Sequence, residues 1–326
     1  MNPEREWTPA QRAENPGTPI PHSAALHAGY EEQMTRYDAL VIGADSLVGS
    51  ELVLALRAAG YAVRATSRRL RADAIQLDLA RPDLPALARE RFACAFVCAG
   101  VTEMQACERA PEEAHLVNVE STLKVMRALA RVGTHLVFFS SGQVFDGEIP
   151  RPGETAPRRP KNLYGRHKLE VEEAIARESL PAAVLRITKI LARVPVGMFR
   201  TWHAALGAGQ SAVAATNMTL APVSVEDVAQ AAMRLGLERR VGPWHLSSAD
   251  ELSYAQAARR MAEICGFPAE LVRGEDVDEG QVAAIHRHRY AALDAGKLAR
   301  ELGFPIRPAA AVLQELFSAY PRAGSA

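Results

Sequence analysis

An α/β architecture on a doubly wound parallel sheet, with a small and mainly helical C-terminal lobe, is what this sequence of 326 residues predicts. Three observations carry that expectation. Residues 37–42 form a nearly continuous apolar run, of the kind buried on both faces of a parallel sheet, and lead straight into a turn with glycines at 43 and 49. Short apolar runs then alternate with helical patterns along the first half of the chain. One of those runs ends in Ser140-Ser141, a loop before a helix that carries Tyr164 and Lys168.

The first strand, 37–42, is followed by Gly43-Ala44-Asp45-Ser46-Leu47-Val48-Gly49, which opens an amphipathic helix reaching Gly60. Gly43 permits a tight turn, and Gly49 lets helix and sheet approach closely. The helix N-terminus, over Asp45, Ser46, Leu47 and Val48, offers unpaired N–H groups and a positive dipole end to a pyrophosphate. Ser46 is the one departure from a dinucleotide turn. It stands where a middle glycine would come closest to phosphate, so its side chain must point away or bond to the phosphate. The second strand, 61–66, ends in Ser67-Arg68-Arg69 and not in an acid. A carboxylate there would accept the ribose hydroxyls of NAD and repel a 2′-phosphate, whereas Ser67 and Arg68 donate to that phosphate, so NADP(H) is expected over NAD(H). A third strand, 75–79, puts Asp78 and Leu79 at the adenine edge. A fourth, 95–100, ends in Ala99 and Gly100, small enough for the cofactor to pass close.

Tyr164 and Lys168 are four apart in Tyr-Gly-Arg-His-Lys, so on a helix they share a face with Cβ atoms about 5–6 Å apart. A free tyrosine hydroxyl titrates near pH ~10 and is a poor acid at neutrality. A neighbouring ammonium stabilises the phenolate and brings that value down, which makes Tyr164 a candidate general acid, with Ser141 hydrogen-bonding the oxygen that receives the proton. His167, inside the same turn, reads as a solvated helix residue.

The strand at 183–187 follows that helix, and the chain then leaves the sheet. A helix over 198–206 brings Phe199, Arg200, Trp202 and His203 to the substrate side, and Lys189 or Arg200 is placed to meet a diphosphate. A helix over 223–237 and a strand over 244–246 return to the sheet; helices over 253–265, 293–302 and 309–317 build the second lobe. The expected division is a flexible extension over 1–36, a nucleotide-binding domain over 37–190 plus about 221–248, and a substrate lobe over 191–220 plus 249–320. The prolines at 3, 9, 16, 19 and 21 among charged and small residues argue for the extension.

As a set, G-A-D-S-L-V-G, C-A-G-V-T, V-N-V around Asn118, F-S-S-G-Q-V-F-D-G, Y-G-R-H-K, A-P-V-S-V-E-D-V-A and W-H-L-S resemble the extended short-chain dehydrogenase/reductase superfamily, a Rossmann fold. Within it they are similar to the dTDP-4-dehydrorhamnose reductase-like branch, from about Asp38 to about Phe317. The resemblance implies that Ser141, Tyr164 and Lys168 are catalytic, that Lys168 also meets the nicotinamide ribose, that Asn118 supports a proton-relay water, and that the second lobe holds a nucleotide-linked sugar. After Ser141 come Gly142 and Gln143, where related 4,6-dehydratases place an Asp-Glu pair, so dehydration is disfavoured and Gln143 is left to face the substrate. The expected reaction is reduction of a keto group on the sugar at the expense of NADPH, with Tyr164 protonating the oxygen. An epimerase is the first alternative. A non-catalytic NADP-binding regulatory subunit, similar to the beta subunit of methionine adenosyltransferase, is the second; Ser46 and the segment Thr188-Lys189-Ile190 leave room for it.

Composition agrees. Lys plus Arg and Asp plus Glu both number 38, so no broad basic face points to nucleic acid or an anionic membrane. Cys94, Cys98, Cys107 and Cys265 form no C-x-x-C pair, and the nine histidines show no H-E-x-x-H spacing, so no metal is expected. They read as reduced thiols of a cytoplasmic protein. No apolar stretch has the length of a signal or membrane span, and a homodimer remains open.

Overall fold

The computed structural model describes residues 36–87, 90–277 and 288–324. The extension expected over 1–36 lies outside them except for Arg36, which opens the first strand. Strands β1 (Arg36–Ile42), β2 (Val63–Ser67), β3 (Ala74–Gln76), β4 (Arg91–Val97), β5 (His135–Ser141), β6 (Ala182–Ile187) and, later in the chain, β11 (Gly242–Leu246) form one seven-stranded sheet in the order β11-β6-β5-β4-β1-β2-β3. Every pairing in it is parallel. Strand order reverses between β1 and β4, where the crossovers leave by opposite faces and a crevice opens beyond the carboxyl ends.

Residues 39–42 are fully buried, which is why β1 reads as an apolar run and not as an alternation. Helices α1 (Leu47–Ala58) and α5 (Val225–Leu237) cover one face of the sheet, through Leu52, Leu56, Val228 and Ala232. Helices α2 (Thr122–Arg131) and α3 (Leu163–Arg177) cover the other, through Val125, Met126, Val171 and Ile175. A π-helical turn, Leu116–Ser121, leads into α2.

Beyond β6 come β7 (Lys189–Leu191), α4 (Gly197–Gly207), β8 (Ala212–Ala215), β9 (Thr219–Leu220) and β10 (Pro222–Ser224). After β11 follow β12 (Leu252–Ser253), α6 (Tyr254–Cys265), β13 (Val272–Glu275), α7 (Gly296–Leu302) and α8 (Ala309–Ser318). Phe199, Trp202, Met261, Leu313 and Phe317 build a separate core between α4, α6 and α8. Two expectations shift here. Residues 222–224 pair with β7, so the returning helix begins only at Val225, capped by Ser224 Oγ accepting from the Asp227 amide at 3.0 Å. The helix expected over 293–302 starts at Gly296 because the Leu293 amide is taken by Ser247 Oγ at 3.1 Å and the Asp294 amide by the Pro152 carbonyl at 3.1 Å.

Candidate active site

The turn after β1 is a glycine cradle. Gly43 has φ +86°, and a Cβ on it would fall 2.8 Å from the Ala99 backbone. A Cβ on Gly49 would lie 2.2 Å from the Gly43 carbonyl oxygen. Neither position admits another residue without moving the turn off the end of β4. Ser46 resolves the ambiguity of its position. Its hydroxyl donates to the Gly43 carbonyl at 2.8 Å and accepts from the Gly49 amide at 3.0 Å, so it is the cap of α1. The Ser50 amide bonds the Ser46 carbonyl at 2.8 Å. That leaves the amides of Leu47 and Val48 as those of the first turn without a helical acceptor, the kind of group a dinucleotide pyrophosphate takes. Ser46→Gly should therefore cost only a few tenths of a kcal/mol and Ser46→Ala about 1 kcal/mol, read by thermal unfolding. A loss of several kcal/mol from glycine would mean that the hydroxyl holds more than a cap.

Ser67 departs from its expected role. Its hydroxyl donates to the Asp45 carboxylate and accepts from the Arg69 amide at 3.0 Å, so it is not free for a phosphate. Ser67 and Arg71 together hold the Asp45 carboxyl below the usual carboxylate range. Asp45 is thus a clasp between the first turn and β2. Arg68 and Arg69 are exposed beside it. Asp78 lies beyond β3, which ends at Gln76, and accepts from the Ala80 amide at 2.9 Å; Leu79 is buried in the core beside it.

The serine, tyrosine and lysine converge at the carboxyl end of β5. Ser141 ends the strand, and its Oγ accepts from the Gln143 amide at 3.2 Å, starting a short 3-10 turn, Gly142–Val144. Asn162 caps α3, its Oδ1 accepting from the Gly165 amide at 2.7 Å, and its Nδ2 donates to Gln143 Oε1 at 2.8 Å. A Cβ on Gly165 would meet the Gln143 carbonyl at 2.2 Å, so the glycine after Tyr164 is what lets α3 reach the end of β5. There the Tyr164 phenol comes beside the Ser141 hydroxyl.

The electrostatics reverse one expectation. Lys168 Nζ donates to the Phe139 carbonyl at 2.8 Å and lies 4.6 Å from the centroid of the Phe138 ring and 5.6 Å from that of Tyr164. Burial dominates. It pushes the phenol up to about 12 against the lowering influence of the Ser141 hydroxyl and pulls the Lys168 ammonium down to about 8. The phenol is therefore protonated near neutrality, ready to give a proton and not to take one.

Asn118 sits in the π-helical turn. Its Oδ1 accepts from the Val101 amide at 2.7 Å, and its Nδ2 donates to the Val101 carbonyl at 2.9 Å. Both ends of the amide are thus committed to the loop after β4, at Gly100-Val101, which makes Asn118 a positioning residue in this geometry. His167 is buried, against expectation, because its Nδ1 turns inward to 3.5 Å from Asn118 Nδ2 and its ring packs edge-on to His115.

Two cavities open from this end of the sheet. One of about 360 Å³ is lined by Ser141, Gln143, Thr188, Lys189 and His288. A second of about 540 Å³, lined by Met198, Trp202, Met218 and Tyr254, shares Lys189 with the first. Lys189 makes no ion pair among the described residues, and desolvation lowers its pKa. Trp202 is where a substrate-side residue was expected, with its Nε1 anchored on the Val213 carbonyl at 2.9 Å. Arg200 is not: it is exposed and lines neither cavity. Phe199 belongs to the core with Phe317, and His203 Nε2 meets the Pro321 carbonyl at 2.8 Å. An amphipathic helix shows which residues face inward but not whether they meet a core or a cavity, and that misplaced these three. Tyr254 and His288 escaped notice because neither sits in a motif.

A family model described as the RmlD substrate binding domain matches residues 34–321. Among curated proteins, the chain is 28% identical over 214 residues to methionine adenosyltransferase 2 subunit beta of Bos taurus, covering 62% of each. It is 32% identical over 185 residues to dTDP-4-dehydrorhamnose reductase of Mycobacterium tuberculosis, covering 54% of this chain and 60% of that one. The chain thus spans about three fifths of the length of these curated relatives. Among solved structures, a dTDP-4-dehydrorhamnose reductase from Bacillus anthracis in complex with NADP superposes with a TM-score of 0.76 at 20% identity, covering 87% of this chain and 99% of that one, a likeness of fold.

Proposed function

Because the chain belongs to the RmlD substrate binding domain family, the dTDP-4-dehydrorhamnose reductase-like branch of the extended short-chain dehydrogenases/reductases, we propose that it is an oxidoreductase that uses NADP(H) to reduce a keto group on a nucleotide-linked sugar. The observation that carries this reading is the convergence of Lys168, whose Nζ lies 5.6 Å from the Tyr164 ring, with a protonated Tyr164 and with Ser141, which lines the smaller cavity.

The cradle of Gly43 and Gly49, the open amides of Leu47 and Val48, and the small residues Ala99 and Gly100 fit a dinucleotide. A nicotinamide cofactor bound there supplies the hydride. Tyr164 then gives its proton to the substrate oxygen while Ser141 holds that oxygen in place, and Lys168 fixes the position of the phenol's helix through the Phe139 carbonyl and offers its ammonium to a ribose hydroxyl. Lys189, between the two cavities, takes the diphosphate. Trp202, Met218 and Tyr254 take the base, and Gln143 faces the sugar. On this reading residues 37–190 and 221–248 serve the cofactor, and 191–220 and 249–320 the substrate.

The test is NADPH oxidation by the purified protein against a panel of nucleotide-linked keto sugars; no turnover on any of them counts against the reading. The preference for NADP(H) rests on Arg68, since Ser67 is occupied by Asp45. Arg68→Ala should weaken NADPH binding about ten- to a hundredfold, the loss of a charge-assisted contact, and leave NADH nearly unchanged in calorimetry. Equal losses for both cofactors would assign Arg68 to the loop alone.

A second reading has one observation in its favour: the curated relatives include the beta subunit of methionine adenosyltransferase 2, 28% identical over 214 residues. A nucleotide-binding regulatory subunit would copurify with an enzyme whose activity depends on it, and would keep that effect when Tyr164 is changed to Phe.

A further inference from the structure

Two buried polar atoms beside the reactive centre have no partner among the described residues. Thr188 Oγ1 and His288 Nε2 are enclosed and unbonded, and both residues line the cavity that holds Ser141 and Gln143. A buried hydroxyl or imidazole nitrogen left unpaired is costly, and in folded proteins such atoms are usually completed by water or a ligand. Packing fixes both residues. Thr188 follows β6, and its methyl group lies 3.9 Å from where a Cβ on Gly142 would stand. His288 is only 9% exposed, and a Cβ on Gly147 would fall 2.7 Å from its ring. The backbone holds this arrangement, with the Tyr290 amide on the Gly147 carbonyl at 3.0 Å and the Thr219 amide on the His288 carbonyl at 3.4 Å.

Charge narrows what these atoms can meet. Burial pushes His288 down to about 4, so its imidazole is neutral near pH 7. A neutral imidazole offers one donor and one acceptor, and a threonine hydroxyl offers both. The complementary group is an uncharged one that also donates and accepts, such as a sugar hydroxyl. A carboxylate would be better served by a cation, and the cation in this cavity, Lys189, lines the second one as well and is the group assigned above to the diphosphate.

We propose that Thr188 and His288 form the specificity-determining polar contacts for ring hydroxyls of the sugar beside Tyr164, so that the cavity selects a neutral hexose unit and rejects a uronic acid. The proposal rests on the nucleotide-sugar reading above. Its test uses the full chain and calorimetric titration with UDP, dTDP, UDP-glucose, dTDP-glucose and UDP-glucuronate. In the unaltered protein at least one nucleotide-glucose should bind more tightly than its own diphosphate. Thr188→Val and His288→Leu should each reduce that hexose increment by about three- to tenfold and leave the diphosphate affinity unchanged. Thr188→Ser and His288→Gln, which keep a donor and an acceptor, should retain most of it. The melting temperature of Thr188→Val should equal or exceed that of the parent, because an unsatisfied hydroxyl has been removed; a merely structural threonine predicts a fall. Three results would overturn the proposal alone: no hexose increment in the parent, an increment unchanged in both variants, or UDP-glucuronate bound as tightly as UDP-glucose. Failure of every diphosphate and nucleotide-glucose to bind would instead overturn the nucleotide-sugar reading, and this proposal with it.

Discussion

Tyr164→Phe should lower the single-turnover rate by roughly 10²–10⁴-fold, the effect of losing a general acid, with NADPH affinity and folding little changed. The ring keeps its packing, and only the hydroxyl beside Ser141 is removed. Lys168→Met should do broader damage. It removes the ammonium bonded to the Phe139 carbonyl at 2.8 Å, so rate and cofactor affinity should fall together. The pH profile follows from the same burial. Because Lys168 is pulled down to about 8, its charge, and with it the turnover, should be lost as pH rises through that value. Stability should move the other way: the unfolded lysine still holds its proton up to about 10.5, so the folded state should gain stability between those values as the buried ammonium discharges. A Tyr164→Phe protein that turns over at near the parental rate would sink the mechanism even with fold and cofactor correct.

Much of the sheet was legible because parallel strands covered on both faces are mostly apolar, and the runs at 37–42 and 183–187, broken only by Asp38 and Arg186, admit little else. The first turn was legible for a steric reason. Gly43 and Gly49 leave no room for a Cβ, so any sequence making this corner must show glycine there. What resisted reading were commitments between distant side chains. Ser67 bonds Asp45 across 22 positions, and Asn118 closes on Val101 across 17. Neither pairing leaves a periodic trace. The phenol's acidity was misjudged for a related reason, since spacing on a helix says where Lys168 stands and nothing about the desolvation that overrides it.

One tertiary commitment does leave a trace in the sequence. Tyr164, Lys168 and Glu172 fall at i, i+4 and i+8, on one face of the helix. Glu172 is 4% exposed, and around it four elements meet. Its carboxylate accepts from Arg186 of β6 at 2.7 Å and from Arg158 at 3.2 Å, and from Ser140, the neighbour of Ser141 on β5. Arg186 in turn meets His245 Nε2 of β11 at 3.1 Å, while His245 Nδ1 faces the Asp294 carbonyl at 3.1 Å. Donation to that carbonyl leaves Nε2 as the acceptor, and burial together with Arg186 pushes the imidazole down to about 3. The charge balance under the reactive centre thus depends on one carboxylate.

Glu172→Ala should therefore be among the most destabilising single changes in the protein. Removing one partner of a buried ion pair leaves the other charge unpaired, at a cost of about 3–5 kcal/mol, a large share of the whole stability of a typical domain. Calorimetry should show a fall in Tm on the order of 10 °C. The pair Glu172→Leu with Arg186→Met should recover much of that loss, because what costs most is the uncompensated guanidinium and not the absence of attraction. Glu172→Gln separates the two consequences. It keeps the volume and an acceptor for Arg186 and Ser140, so it should fold better than the alanine variant. It also deletes a negative charge that helps hold the proton on Lys168, so the alkaline limb of activity should move to lower pH. An alanine variant within about 1 kcal/mol of the parent would mean that water reaches Arg186 freely, and the carboxylate would then be no more than a surface ion pair.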